Sequence, residues 1–84
     1  MQSMVIDARR RLEEHRAALQ QKLRGAVSAE AELELAETTA AIHRIELGTY
    51  GRCERCDAAL GRQRLMALPA ARYCWTCAAI IRGS

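Results

Sequence analysis

The spacing of the four cysteines restricts this chain more than any other feature. Cys53 and Cys56 form one C-x2-C pair, Cys74 and Cys77 form a second, and residues 57–73 separate them. Two residues between cysteines let one tight turn aim two sulfurs at the same point. A second such pair completes a tetrahedron of soft ligands, the arrangement that zinc prefers. With every coordination position supplied by a thiolate, none is left for water or substrate, so the expected cofactor is one structural Zn2+. An Fe(Cys)4 redox site or a disulfide framework could use the same residues, but nothing else in the sequence supports either. Asp57 follows the first pair, where a residue that tolerates positive φ is useful, and Asp is among the better choices after Gly.

Chain length explains why a metal is needed. Eighty-four residues bury a smaller fraction of their surface than an average domain does, and this composition has no Phe, one Trp and two Tyr. Much of the hydrophobic share is alanine, so a bulky core is not expected and a staple is. The chain reads as one domain, 1–84, made of a helical hairpin over 3–47 and a zinc module over 48–84. No run of about 18 apolar residues offers a membrane span, and Met1 to Arg11 lacks the apolar stretch of a secretory signal. The expected location is cytoplasmic, a reducing compartment in which cysteines serve as metal ligands more readily than as disulfides.

Before Gly25-Ala26-Val27-Ser28, Val5, Leu12 and Leu19 recur every seven residues among helix-favouring Ala, Arg, Glu and Gln. After it, Leu35, Thr38, Ile42 and Ile45 follow the alternating spacing of a second helical seam. The expected helices are 3–24 and 29–47, with Ser28 capping the second, Glu30 and Glu32 near its positive end, and Gly48 closing it in a left-handed turn. A loop this short makes the pair antiparallel and coiled-coil-like, setting Leu12 against Ile42 and Leu19 against Leu35. The fold class is therefore mainly α: a two-helix hairpin followed by a small four-cysteine module with a short C-terminal helix at about Thr76 to Arg82.

The net charge of +3 is modest, and its distribution says more. The first helix is basic (Arg9, Arg10, Arg11, Arg16, Lys22, Arg24) and the second acidic (Glu30, Glu32, Glu34, Glu37, Glu46), so antiparallel packing predicts pairing within the hairpin. The surplus of arginines in 48–84 is partly cancelled by four thiolates on one zinc ion, and strong nucleic-acid binding does not follow. Arg9-Arg10-Arg11 fan around a helix as a solvated arc. His15 and His43 read as helix-surface or seam residues. Tyr73 and Trp75, on either side of Cys74, are expected to pack around the zinc and against the hairpin, with Ile80 and Ile81 packing back on the module; stacking on a nucleic-acid base is the sharper alternative for the aromatic pair. There is no Gly-rich phosphate loop, nucleophile elbow or paired-carboxylate site, so an enzyme is not expected.

Tyr50-Gly51-x-Cys53-x-x-Cys56, then Gly61-x-x-Arg64-Leu65-x-Ala67-x-Pro69-x-Ala71 and Cys74-x-x-Cys77, closely resembles the DksA/TraR family of bacterial zinc-finger proteins over about residues 48–78, in the size of its short TraR-like members. The resemblance implies a transcription regulator that binds RNA polymerase as its protein partner, without sequence-specific DNA, and inserts a helical hairpin into the secondary channel. Expected contacts are Arg62, Arg64 and Arg82 on the module and Gly25, Ala26, Val27 and Ser28 at the tip, in a chain acting as a monomer. Two departures stand out. The resemblance implies an Asp-x-x-Asp-x-Ala signature at the tip or near the N-terminus, which neither Gly25–Ser28 nor Asp7-Ala8 matches. It also implies, for members responding with the alarmone ppGpp, basic residues on the second helix and an Arg before the Pro; here stand Glu37 and Leu68, so ppGpp binding is not expected. A zinc module that binds nucleic acid through its arginines, and a coiled-coil adaptor, are the alternative readings.

Overall fold

The computed structural model describes residues 2–83 and contains four helices: α1 (Gln2–Gly25), α2 (Ala29–Leu47), α3 (Arg62–Ala67) and α4 (Trp75–Gly83). Met1 and Ser84, the ends of the expected domain, lie outside the described residues. None of these helices is long and apolar enough to cross a membrane.

The hairpin follows its local signals. Ser28 is extended (φ −148°, ψ 115°), and its Oγ accepts a hydrogen bond from the Ala31 N–H at 3.2 Å, satisfying one free donor of the α2 N-terminus. At the other end Gly48 takes φ 79°, where its N–H reaches the Ile45 carbonyl at 3.1 Å and the Thr49 N–H reaches that of Arg44 at 2.9 Å. Between these caps, Leu12 packs with Ala41 and Ile42, as the fold-back about the loop predicts. Ala8, Leu19, Ala31 and Thr38 are also buried. The small residues let the two backbones close together, which compensates for a seam with few large side chains. Thr38 would leave a buried hydroxyl unpaired, but it donates to the Glu34 carbonyl one turn back at 2.8 Å.

Charge pairing across the hairpin is partial. Arg9 meets Glu46 at 3.4 Å and His15 meets Glu34 at 2.9 Å, whereas Arg16, Lys22, Arg24, Glu30 and Glu32 form no ion pair among the described residues. Towards the tip these side chains stay in water, where an ion pair gains little over hydration.

The C-terminal half docks on the base of this hairpin through side chains that sequence periodicity does not reveal. Tyr50 packs against both the hairpin cluster and a second cluster formed by Cys53, Leu60, Leu65 and Cys77, and its hydroxyl donates to the Pro69 carbonyl at 2.7 Å. Met4 of α1 reaches the same second cluster, and Arg11 donates to the Met66 carbonyl at 3.1 Å. From α2, the buried Arg44 donates to the carbonyls of Ala70 and Ala71, each at 3.4 Å. Arg72 returns the bond: its Nε donates to Glu37 of α2, and its Nη1 lies 3.0 Å from both carboxylate oxygens of Glu54. Glu54 also faces Arg44 Nη1 at 4.0 Å, which closes a four-residue charge network between hairpin and module.

Replacing Arg72 with Met should lower stability by about 1–3 kcal/mol, because two partly covered carboxylates lose their donor together. Thermal unfolding of the zinc-loaded protein measures this, and an unchanged midpoint would show that the network contributes nothing net.

Candidate metal centre

Each cysteine pair sits on a turn whose backbone is closed by its own hydrogen bonds. Around the first, an antiparallel bridge joins Arg52 to Ala59, the Cys53 N–H reaches the Ala58 carbonyl at 2.9 Å, and the Asp57 N–H returns to the Cys53 carbonyl at 2.9 Å. Asp57 has φ 64°, the left-handed conformation expected of it. The second pair opens α4: the Ala78 N–H bonds to the Cys74 carbonyl at 2.8 Å, and the Cys77 N–H points at Cys74 Sγ from 3.4 Å. The Glu54 N–H bonds to the Arg72 carbonyl at 2.8 Å and ties the two turns together.

This framework brings the four sulfurs within 4.8 Å of one another, with Cys56 and Cys74 separated by 3.8 Å. All four are free thiols. A tetrahedron with Zn–S bonds of about 2.3 Å has sulfur–sulfur edges of about 3.8 Å, so the donor set fits one zinc ion. The electrostatics of the bare thiols point the same way. Burial opposes ionisation of Cys53, yet the backbone N–H groups of Cys74, Cys56 and Arg55 outweigh it and hold the thiol down to about 6. The Cys77 N–H likewise lowers Cys74. For Cys77, Arg55 pulls downward, but burial and the three neighbouring cysteines prevail and push it up to about 12. Four thiolates cannot coexist here without a compensating cation, and Zn2+ held by Cys53, Cys56, Cys74 and Cys77 supplies one. Cys53 and Cys77 are buried while Cys56 is exposed, so the ion would lie between the module core and solvent.

The other residues expected to matter fare differently. Arg62 and Arg82 are exposed, as are Gly25, Ala26 and Val27, with Ser28 half-buried in its capping role. Arg64, expected as a contact residue, is only 6% exposed: its Nε donates to the Tyr73 carbonyl at 2.6 Å and its guanidinium lies 4.3 Å from the centre of the Trp75 ring. It therefore holds the turn before Cys74 and backs the exposed Trp75 ring. Tyr73 packs against the module core as expected, but Trp75 is 68% exposed, because the first turn of α4 points it away from the cluster. Ile80 and Ile81 also remain about half exposed, and Cys77 is the buried residue of α4. The helix α3 lies in the segment 57–73 that reads from sequence as a spacer, and its Leu65 fills the module core. Arg55, inside the first C-x2-C pair, donates towards Cys77 Sγ at 3.7 Å; its sequence position between two ligands was the available signal.

Removing zinc with a strong chelator, or replacing Cys53 with Ser, should unfold residues 50–82 while part of the hairpin helix remains, since the module core is built on Cys53 and Cys77 themselves. Far-UV circular dichroism should show a partial loss of helix, and an unchanged spectrum after chelation would refute the structural role of the ion.

Comparison with known proteins agrees with this architecture. Residues 48–81 match the prokaryotic dksA/traR C4-type zinc finger. A 44-residue stretch, 52% of this chain, is 50% identical to an uncharacterized protein of Aquifex aeolicus, and the match spans only 30% of that relative's length. The fold is similar to that of the RNA polymerase binding protein and transcriptional regulator Dks from Chlamydia trachomatis, with a TM-score of 0.84 and 22% identity over 99% of this chain and 92% of that one. The transcription factor DksA2 from Pseudomonas aeruginosa is similar at a TM-score of 0.83 and 18% identity, over 96% of this chain and 84% of that one. The cysteine module of this chain thus matches the DksA/TraR C4-type zinc finger, and hairpin and module together have the fold of the Dks proteins.

Proposed function

We propose that the protein regulates transcription by binding RNA polymerase directly, as a single chain, with its hairpin entering the secondary channel. The observation that carries this reading is the likeness of nearly the whole chain, hairpin and module together, to a protein described as RNA polymerase binding. The physical layout supports it. The 24 residues of α1, at about 1.5 Å each, give a projection of about 36 Å, and the zinc module holds its base. At the tip, Gly25-Ala26-Val27 offers backbone and one apolar side chain, Val27 being 94% exposed, and no carboxylate. The tip can occupy a channel, but it brings no acid to a catalytic metal.

The docking face lies on the module. Trp75 stands on α4 with one ring face backed by Arg64, and Arg62, Arg82, Ile80 and Ile81 are also exposed there. A large aromatic held in place by a guanidinium loses little entropy on burial, which suits it to anchor an interface. The same exposed ring favours base stacking as a second reading, and binding of that kind would weaken steeply with salt. In the groove between α1, α2 and the 67–71 loop, Glu14, Glu34 and Glu37 outnumber Arg11 and His15, Glu37 is already paired with Arg72, and Leu68 precedes Pro69, so a ppGpp phosphate would meet a surplus of carboxylates.

The protein should co-purify with core RNA polymerase at low salt and be displaced by a known secondary-channel binder; absence of retention would sink the proposal. Trp75→Ala should weaken that binding about tenfold. Calorimetric titration of ppGpp into the complex should give no more heat than into polymerase alone.

A further inference from the structure

One zinc ion and four thiolates leave a local charge of about −2 that the surroundings must offset. Backbone N–H groups supply part of this, as Cys77 does for Cys74. Among the described residues, Arg55 is the one side chain whose nitrogen reaches a cysteine sulfur, with Nη1 3.7 Å from Cys77 Sγ. Its neighbours are engaged elsewhere. Arg52 donates to the Asp57 carbonyl at 3.1 Å and pairs with its carboxylate at 3.7 Å, Arg72 is held by Glu37 and Glu54, and Arg64 is held by Tyr73 and Trp75. Arg55 forms no ion pair with a carboxylate among the described residues.

The position of Arg55 adds a geometric argument. It belongs to the turn that aims Cys53 and Cys56, yet it donates to a cysteine of the other pair, so its side chain spans the metal centre from one knuckle to the other. Zinc leaves such a site when a sulfur swings off the ion. A donor at Cys77 Sγ opposes that swing, and a positive charge beside the thiolate reduces the repulsion among the four sulfurs.

We infer that Arg55 is a positioning residue of the metal centre, one that retains zinc by donating across the site to Cys77. This rests on the structural zinc alone and is independent of any polymerase contact. Side chains that orient metal ligands typically change affinity by about 10–100-fold when removed.

The test uses the full-length, zinc-loaded protein with Arg55→Gln, Arg55→Lys and, as a surface-charge control, Arg62→Gln, an exposed arginine away from both cysteine turns. Zinc transfer to excess chromogenic chelator should be about tenfold faster in Arg55→Gln and intermediate in Arg55→Lys, which keeps the charge but not the planar reach, while Arg62→Gln stays at the wild-type rate. In cobalt-loaded protein the sulfur-to-metal charge-transfer band should move to lower energy in Arg55→Gln, because a sulfur relieved of its hydrogen bond gives up an electron more easily. Release from both Arg55 variants within twofold of wild type would overturn the inference. So would equal acceleration in Arg62→Gln, which would assign the effect to general surface charge. Should Arg55→Gln fail to load zinc, Arg55→Lys decides by the same release criterion.

Discussion

Four sulfurs within 4.8 Å cannot all ionise unless a cation joins them, and the C-terminal half of the fold depends on that condition. Its core consists of Cys53, Cys77, Leu60 and Leu65, so half of its buried members are metal ligands. Without the ion the module core would have two leucines and two thiols with nothing to join them. With it, the turn at Cys53 and the start of α4 are held at fixed distances from one point, and α3 packs on them through Leu65. A chain with no Phe has few other ways to gather that much structure from so few residues.

The metal orders the module, but it does not orient the hairpin. That task falls to Tyr50 and to the network of Arg44, Glu54, Arg72 and Glu37, which lies between α2 and the turns carrying the cysteines. Burial lowers the proton affinity of Arg44, Glu54 counteracts this, and the guanidinium satisfies two carbonyls of the 70–71 turn that would otherwise point at α2 unpaired. Arg72 is raised by its bonds to Glu37 and Glu54. Since Glu54 sits between Cys53 and Arg55, the network begins one residue from a zinc ligand. The metal turns therefore meet α2 through Glu54, Arg72 and the apolar packing of Tyr50 together.

Much of this was legible in the sequence because it is local. The cysteine spacing, the cap at Ser28, the left-handed Gly48 and the positive φ of Asp57 each follow from residues a few positions apart, and the Leu12–Ile42 contact follows from folding two periodic segments about a short loop. What was not legible depends on contacts between distant segments. Six residues suffice for α3, too few to show a period, and the helix is defined by Leu65 reaching the zinc core. Arg64 reads as an exposed cation until Tyr73 and Trp75 are placed around it, and Trp75 reads as a core residue until the start of α4 turns it outwards. In both cases composition suggested the opposite of the outcome: the scarce aromatic is outside and the charged side chain is inside.

The distribution of carboxylates has a further consequence. Glu37 and Glu54 are needed to fasten the module to α2, and Glu34 and Glu46 bridge the hairpin, so most acids near the base are consumed by the fold itself. Of those that form no ion pair among the described residues, Glu14 lies on α1, and Glu30 and Glu32 lie in the first turn of α2, where the helix dipole already favours negative charge. The tip loop itself has none. Reach and acidity are thus separated in this chain: the part of the hairpin that projects furthest carries apolar and backbone groups, while the acidic side chains sit behind it along α2. The electrostatic work of the charged groups near the base is spent on keeping hairpin and module in register.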